Sequence, residues 1–223
     1  MAELICIIPA RAGSKGLINK NIQNLGDRPL IFYTIDAIIE SGLCENKNIL
    51  VSTDSIEYKN LIECNRDVSV LIRDEKLAED DTPTSAVLLD MLRKYDDTTE
   101  FMLCQPTSPL RTSKNIQEAY ALFLEDKTRP VVSITKSAKP YELFTELGDN
   151  NKLLDIIGCD KNYRRQDKKD MYYPNGAIYI STKKQYIQDV SFFTQNTAGY
   201  IMSKKESIDI DDKYDLIEAS AYL

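Results

Sequence analysis

Residues 4–21 read LICIIPARAGSKGLINKN. Leu4, Ile5, Cys6, Ile7 and Ile8 are apolar without alternation, the pattern of a strand covered on both faces. Pro9 ends such a ladder because it has no N–H to donate. The residues that follow are small, flexible and basic: Arg11, Gly13, Ser14, Lys15, Gly16 and Lys20. Two glycines let backbone N–H groups turn toward a ligand, and the cations supply charge. A polyphosphate suits such a loop, although a solvated turn after a core strand can have the same composition. The spacing is neither that of a Walker A loop nor that of a G-x-G-x-x-G dinucleotide turn.

Working outward, Asp27 to Ser41 reads as a helix, with Ile31, Thr34, Ile35, Ile38 and Ile39 on one face and Gly42 as its stop. Asn48–Thr53 reads as a second buried strand, Ser55–Asn65 as a helix, and Ser69–Ile72 as a short third strand. Thr82 is placed as the cap of the next helix, with Pro83 at its first position and Val87, Leu88, Met91 and Leu92 turned inward. Phe101–Gln105 is the fourth strand, closed by the QPTSPLR turn. Thr112 or Ser113 caps a helix to Glu125, and Pro130–Thr135 is the fifth strand. The rhythm breaks over residues 136–171, a charged and aromatic stretch read as a protruding arm. Tyr173–Ser181 (strand), Lys183–Val190 (helix), Ala198–Met202 (strand) and Asp211–Tyr222 (helix) complete the chain. Strands alternating with helices predict an α/β fold, a mostly parallel, Rossmann-like doubly wound sheet in one domain over residues 1–223. Ligands of such sheets sit outside the carboxyl ends of the strands, where the basic loop lies.

The net charge of −7 over 223 residues argues against a nucleic-acid binder. No apolar run reaches the roughly 18 residues a membrane span needs, and no signal peptide precedes Leu4. Five scattered cysteines without a C-x-x-C spacing read as buried thiols of a cytoplasmic protein. The chain has no histidine, so a general base has to be a carboxylate, a lysine, a tyrosine or a metal-bound hydroxyl.

The whole string IIPARAGSKGLINKN resembles the signature of the CMP-sialic acid synthetases (acylneuraminate cytidylyltransferases). Further blocks agree in order: Val51–Asp54, Leu77–Thr82, Gln105–Arg111, Arg164–Gln166, Asn175–Ile180 and Ser207–Asp211. The resemblance implies an enzyme that joins a nine-carbon sugar acid to CTP, giving a CMP-sugar and pyrophosphate. It implies that Arg11, Ser14, Lys15, Lys20 and Asn21 hold the triphosphate, with Lys15 and Lys20 as the catalytic cations. Arg73 and Thr84 are assigned to the base or sugar of the nucleotide, although Thr84 equally suits the opening of a helix. Gln105 falls where the family holds its sugar acid, and Asn175, Tyr179, Phe192 and Phe193 where it surrounds the acylamino group. The adjacent Phe192 and Phe193 cannot both face the core from a strand; in a loop both can wall a pocket, while ordinary packing suits one of them. In the resembled family such an arm embraces a second protomer, so the resemblance implies a homodimer, in which Arg165 is expected to reach the partner's sugar site. Asp54 is read as a strand-end residue that orders the loop.

Asp209 and Asp211 are one residue apart, so on an extended segment both carboxylates face one side. Two hard oxygen ligands, completed by phosphate and water, describe a magnesium site, with Asp211 also a catalytic candidate. Two departures bear on the sugar. Tyr173 stands where sialic acid enzymes commonly carry an arginine, and Tyr141 and Glu142 follow Pro140 where a lysine is common. Legionaminic acid and other sialic-acid-like acids therefore stay open as alternatives. The CMP-Kdo enzymes are disfavoured because their loop lacks the Ser-Lys-Gly and Lys-Asn pairs, and a nucleotide sensor without turnover is disfavoured by Asp209 and Asp211.

Overall fold

The structure, a computed structural model, describes residues 4–13, 16–79, 81–154 and 169–223. The chain runs through β1 (Leu4–Pro9), the short hairpin strands β2 (Asn24–Leu25) and β3 (Arg28–Pro29), α1 (Leu30–Ser41), β4 (Ile49–Thr53), α2 (Ile56–Asn65) and β5 (Ser69–Ile72). It continues through α3 (Thr84–Leu92), β6 (Glu100–Leu103), α4 (Ser113–Glu125), β7 (Val131–Lys136) and the strands β8 (Glu146–Leu147) and β9 (Leu153–Leu154). It ends with β10 (Tyr172–Thr182), α5 (Lys183–Asp189), β11 (Ala198–Met202) and α6 (Lys213–Ser220).

Seven strands form one sheet in the order β11-β7-β10-β6-β1-β4-β5. All neighbouring pairs are parallel except those of β10, which runs antiparallel to both β6 and β7. β1 lies inside the sheet, as its unbroken apolar run predicts. Leu4, Cys6 and Ile8 point into a core completed by α1, α2 and α4, while Ile5 and Ile7 point into a second core completed by α3 and α5. Each of these isoleucines is fully buried and contributes about 2–3 kcal/mol of hydrophobic stabilisation. The helices on both faces make the fold doubly wound, as expected. No helix among the described residues is long and apolar enough to cross a membrane.

Several boundaries differ from the sequence reading. Residues Arg28–Pro29 pair with Asn24–Leu25, so α1 begins at Leu30 and not at Asp27. Pro83 keeps an extended ψ of 147° and is itself the N-cap of α3, so the helix opens at Thr84. Thr82 donates instead from Oγ1 to Lys76 O at 3.0 Å. α6 starts after Asp212, whose side chain caps it in a box with Asp215. Of the cysteines, Cys6 and Cys104 are buried as expected, whereas Cys64 is exposed on α2. Within the stretch 136–171, β8 and β9 pair as a small separate hairpin, and residues 155–168 lie outside the described residues.

Candidate active site

The loop after β1 is held by side chains once its ladder stops. Ala10 makes one more bond, its N–H donating to Ser52 O at 2.8 Å. Ala12 N–H then donates to Asp54 Oδ1 at 2.8 Å, so the aspartate at the end of β4 orders the loop. Asn21 is buried and donates from Nδ2 to Arg11 O at 3.0 Å, while its Oδ1 is buried without a partner. Gly16 lies against the segment before α6, where a Cβ would stand 2.7 Å from the Asp211 carbonyl oxygen. A larger residue there would push the loop off that segment. Lys20 closes the same contact, donating from Nζ to Asp211 Oδ1 at 3.0 Å.

These groups face a cavity of about 550 Å³ beyond the carboxyl ends of β1 and β6. Arg11, Lys20, Asn21, Arg73, Thr84, Gln105, Asp209 and Asp211 all line it, although they come from segments spread over 200 residues of chain. Arg73 follows β5 and donates from Nη2 to Ser52 O and from Nη1 to Leu77 O at 3.4 Å. Its burial lowers its pKa, against which the charge of Asp54 acts. Arg73 thus shapes the wall as well as charging it. Thr84 sits in the first turn of α3, where backbone N–H groups lack helical partners.

Ile210 is fully buried in the small core beside α6. Its neighbours Asp209 and Asp211 therefore share the opposite side and both reach the cavity, as their spacing predicts. Burial pushes the Asp209 carboxyl above its ordinary pKa, a hydrogen bond from Thr107 and the charge of Lys20 work against that shift, and Asp211 and Asp215 reinforce it. Asp209 Oδ1 is buried with no hydrogen-bond partner. An orphaned hard oxygen is a fitting ligand for a divalent cation. Among the described residues no three His, Cys, Asp or Glu side chains are grouped to hold a metal, so phosphate oxygens and water would have to complete its shell.

Behind Gln105 and Asp209, which line the cavity, lies β10. Its register shifts between Pro174 and Tyr179, and Gly176 takes a φ of +79° at the irregularity. A Cβ on Gly176 would stand 2.9 Å from Gln105 Oε1 and 3.5 Å from Asp209 Oδ2. Asn175 is buried and internally bonded: Oδ1 accepts from Ser133 Oγ at 2.6 Å and from Ala177 N at 3.2 Å, while Nδ2 donates to Ser207 Oγ at 2.8 Å. Its amide holds the irregular strand together and does not line the cavity. Phe192 is a core residue, packed on Phe101, Tyr179 and Tyr186, because the apolar second core outcompetes a solvent-facing pocket wall. Phe193 is exposed, with its ring edge-on to Tyr179 at 6.3 Å. The Tyr179 hydroxyl is pushed up in pKa by burial and then by the charge of Asp209. Ser14, Lys15 and Arg165 lie outside the described residues. The sequence reading missed Glu79, whose carbonyl accepts from Arg11 Nη1 at 3.3 Å, and Thr107 on the cavity wall. Both fall in blocks singled out by the resemblance, which was the available signal.

The family model for cytidylyltransferases matches residues 5–221. The chain belongs to the cytidylyltransferase family. The N-acylneuraminate cytidylyltransferase of Streptococcus agalactiae serotype V is 46% identical over 219 residues, which are 98% of this chain and 53% of that protein. The CMP-N,N'-diacetyllegionaminic acid synthase of Legionella pneumophila is 34% identical over 96% of this chain and 93% of its own length. The resemblance to the CMP-sialic acid synthetases read from the sequence is borne out. The present cytidylyltransferase chain spans about half the length of the N-acylneuraminate cytidylyltransferases it matches. Among solved structures, the CMP:2-keto-3-deoxy-manno-octonic acid synthetase complexed with CTP superposes with a TM-score of 0.74 over 99% of this chain and 98% of the other. At 12% identity that likeness concerns the cytidylyltransferase fold alone.

Proposed function

We propose that this chain carries N-acylneuraminate cytidylyltransferase activity. The anomeric hydroxyl of a nine-carbon sugar acid attacks the α-phosphate of CTP, and pyrophosphate leaves. The observation that carries the reading is the meeting of Arg11, Lys20, Asp209 and Asp211 in one cavity of a cytidylyltransferase-family domain. Loop cations beside the triphosphate offset the charge that builds on the non-bridging oxygens and the leaving group, each contact being worth about 3 kcal/mol. Lys20 is one such cation, Lys15 is a second by its place in the sequence, and Ser14 adds a hydroxyl donor. Magnesium bound at Asp209 and Asp211 would neutralise the triphosphate. Asp209 Oδ1 is the oxygen we assign to the cation, and the Asp211 carboxylate, whose side chain is 80% exposed, the group we assign to receive the proton of the sugar hydroxyl. Gln105 faces the sugar acid from the far side of the cavity.

The arm supports a homodimer, because Tyr141, Phe144, Leu147, Leu153 and Tyr173 leave large apolar surfaces exposed on and beside it. Arg165 is then the arm residue that meets the partner's sugar acid, and a cytoplasmic setting suits the exposed thiol of Cys64. A second reading, legionaminic acid as the substrate, is favoured by Tyr173 and by the Legionella pneumophila relative. Pyrophosphate release from CTP, measured with magnesium and a panel of nine-carbon acids, tests both. Release that depends on N-acetylneuraminate supports the first reading. Release with legionaminic acid alone selects the second, and release with no acid on the panel ends both.

A further inference from the structure

Arg111 is 2% exposed and yet makes no ion pair with a carboxylate among the described residues. Its neighbours by charge are the thiols of Cys104 and Cys6, and burial lowers its pKa. A buried cation without a counter-ion is destabilising, so its retention calls for a reason outside the core. One nitrogen supplies the lead. Arg111 Nη1 donates to Gln105 O at 3.2 Å and to Ala177 O at 3.0 Å, two carbonyls 72 residues apart. The first belongs to the turn that carries the Gln105 side chain into the cavity. The second belongs to the irregularity of β10, next to Gly176, where the backbone passes close to Gln105 Oε1 and Asp209 Oδ2.

We infer that Arg111 is a positioning residue, fixing Gln105 against the β10 irregularity so that the sugar-acid side of the cavity keeps its shape. The inference rests on the function proposed above, with Gln105 facing the acid. Thr34 Oγ1 also donates to Gln105 O, at 3.4 Å, and Ser108 N does so at 3.5 Å. The turn itself therefore survives loss of Arg111, and what is lost is its tie to β10. The triphosphate side has no such tie: Arg111 touches none of Arg11, Lys20 or Asn21 in its hydrogen bonds.

Two variants separate positioning from folding. Arg111→Met fills the space without donors and removes a buried charge, so its unfolding temperature is expected to stay within about 3 °C of wild type. Arg111→Lys keeps the charge but loses the planar fork. Both are expected to lower kcat/KM for the sugar acid by about 30-fold, mainly through KM, while KM for CTP moves less than about 3-fold. A sugar-acid kcat/KM within about 3-fold of wild type in both variants, or an equal rise of both KM values, would overturn the inference. A wild-type protein that releases no pyrophosphate with any acid would sink the proposed function instead. The inference is then decided by the side-chain amide signals of Gln105 in ¹⁵N spectra of wild type and Arg111→Lys. Displaced or broadened signals support it, and unmoved signals end it.

Discussion

Lys20 enters the cavity from a loop and pairs with Asp211, a carboxylate whose side chain is 80% exposed. Asn175, on the other side, has both ends of its amide bonded to Ser133, Ala177 and Ser207 inside the fold. The loop side of the cavity, to which we assign the triphosphate, is thus made of polar side chains that belong to none of the hydrophobic cores. Behind Gln105 and Asp209 lies a sheet strand bent out of register, and the residues that bend it are also structural. Function and stability should separate on the first side and travel together on the second.

The largest effect is expected from Lys20→Ala. Loss of a cation aimed at the triphosphate should lower turnover by about 100-fold. Its surface ion pair is worth at most about 1 kcal/mol, so the unfolding temperature should stay close to wild type. Turnover within a few-fold of wild type would erase the contrast between the two sides. Next in size is Gly176→Ala. The added methyl meets Gln105 Oε1 at 2.9 Å, and the φ of +79° is strained for any L-residue with a Cβ. KM for the sugar acid should rise by about 10-fold with little change in CTP binding by calorimetry. Weakened CTP binding in this variant would show that the two sides are one.

A smaller effect, and one on folding, is expected from Asn175→Ala. It takes the acceptor from Ser133 Oγ and Ala177 N and the donor from Ser207 Oγ, leaving Ser133 only the bond from Ile178 N and Ser207 only its bond to Ser203 O, which costs about 3 kcal/mol. That corresponds to an unfolding temperature lower by about 8 °C for a domain of this size. Scanning calorimetry reads the loss directly. An unchanged midpoint would mean that water replaces the amide and that Asn175 is free to serve a ligand.

The same division explains what the sequence made legible. The run Leu4–Ile8 and the strands Ser69–Ile72 and Ala198–Met202 are local apolar patterns, and the structure places strands there. The loop cations and the Asp209–Asp211 pair are legible because spacing along a chain fixes which way adjacent side chains point. The reversal of β10 is not local: Tyr172–Thr182 has the same composition whichever way it runs, and only its partners β6 and β7 set its direction. The packing of Phe192 and the bonds of Asn175 are equally non-local, since their surroundings come from Phe101, Tyr186, Ser133 and Ser207. Arg111 was visible as a letter of the QPTSPLR turn, but its tie to Ala177 depends on the bent strand.

The smallest expected effect lies where the two sides meet, at Asp209. Its carboxyl is held above the ordinary value chiefly by burial, so the charged form is disfavoured in the folded protein. A carboxyl with a raised folded pKa binds its proton more tightly folded than unfolded. The stability this gives is fully present below the unfolded value of about 3.9 and is lost as pH rises through the folded value. In the metal-free protein at pH 7, Asp209→Asn should therefore unfold at a higher urea concentration than wild type, because the amide keeps the size and removes the buried charge. At pH 3, where the aspartic acid is neutral in both states, the two proteins should unfold together. Magnesium with CTP should restore wild type relative to the variant at pH 7, since a cation at the carboxylate removes the penalty of burying it. A variant less stable than wild type at pH 7 without metal would mean that the Thr107 hydrogen bond and Lys20 outweigh burial. The charged form of Asp209 would then be held by those partners as Lys20 is held by Asp211, and the division between the two sides would shift to Gly176.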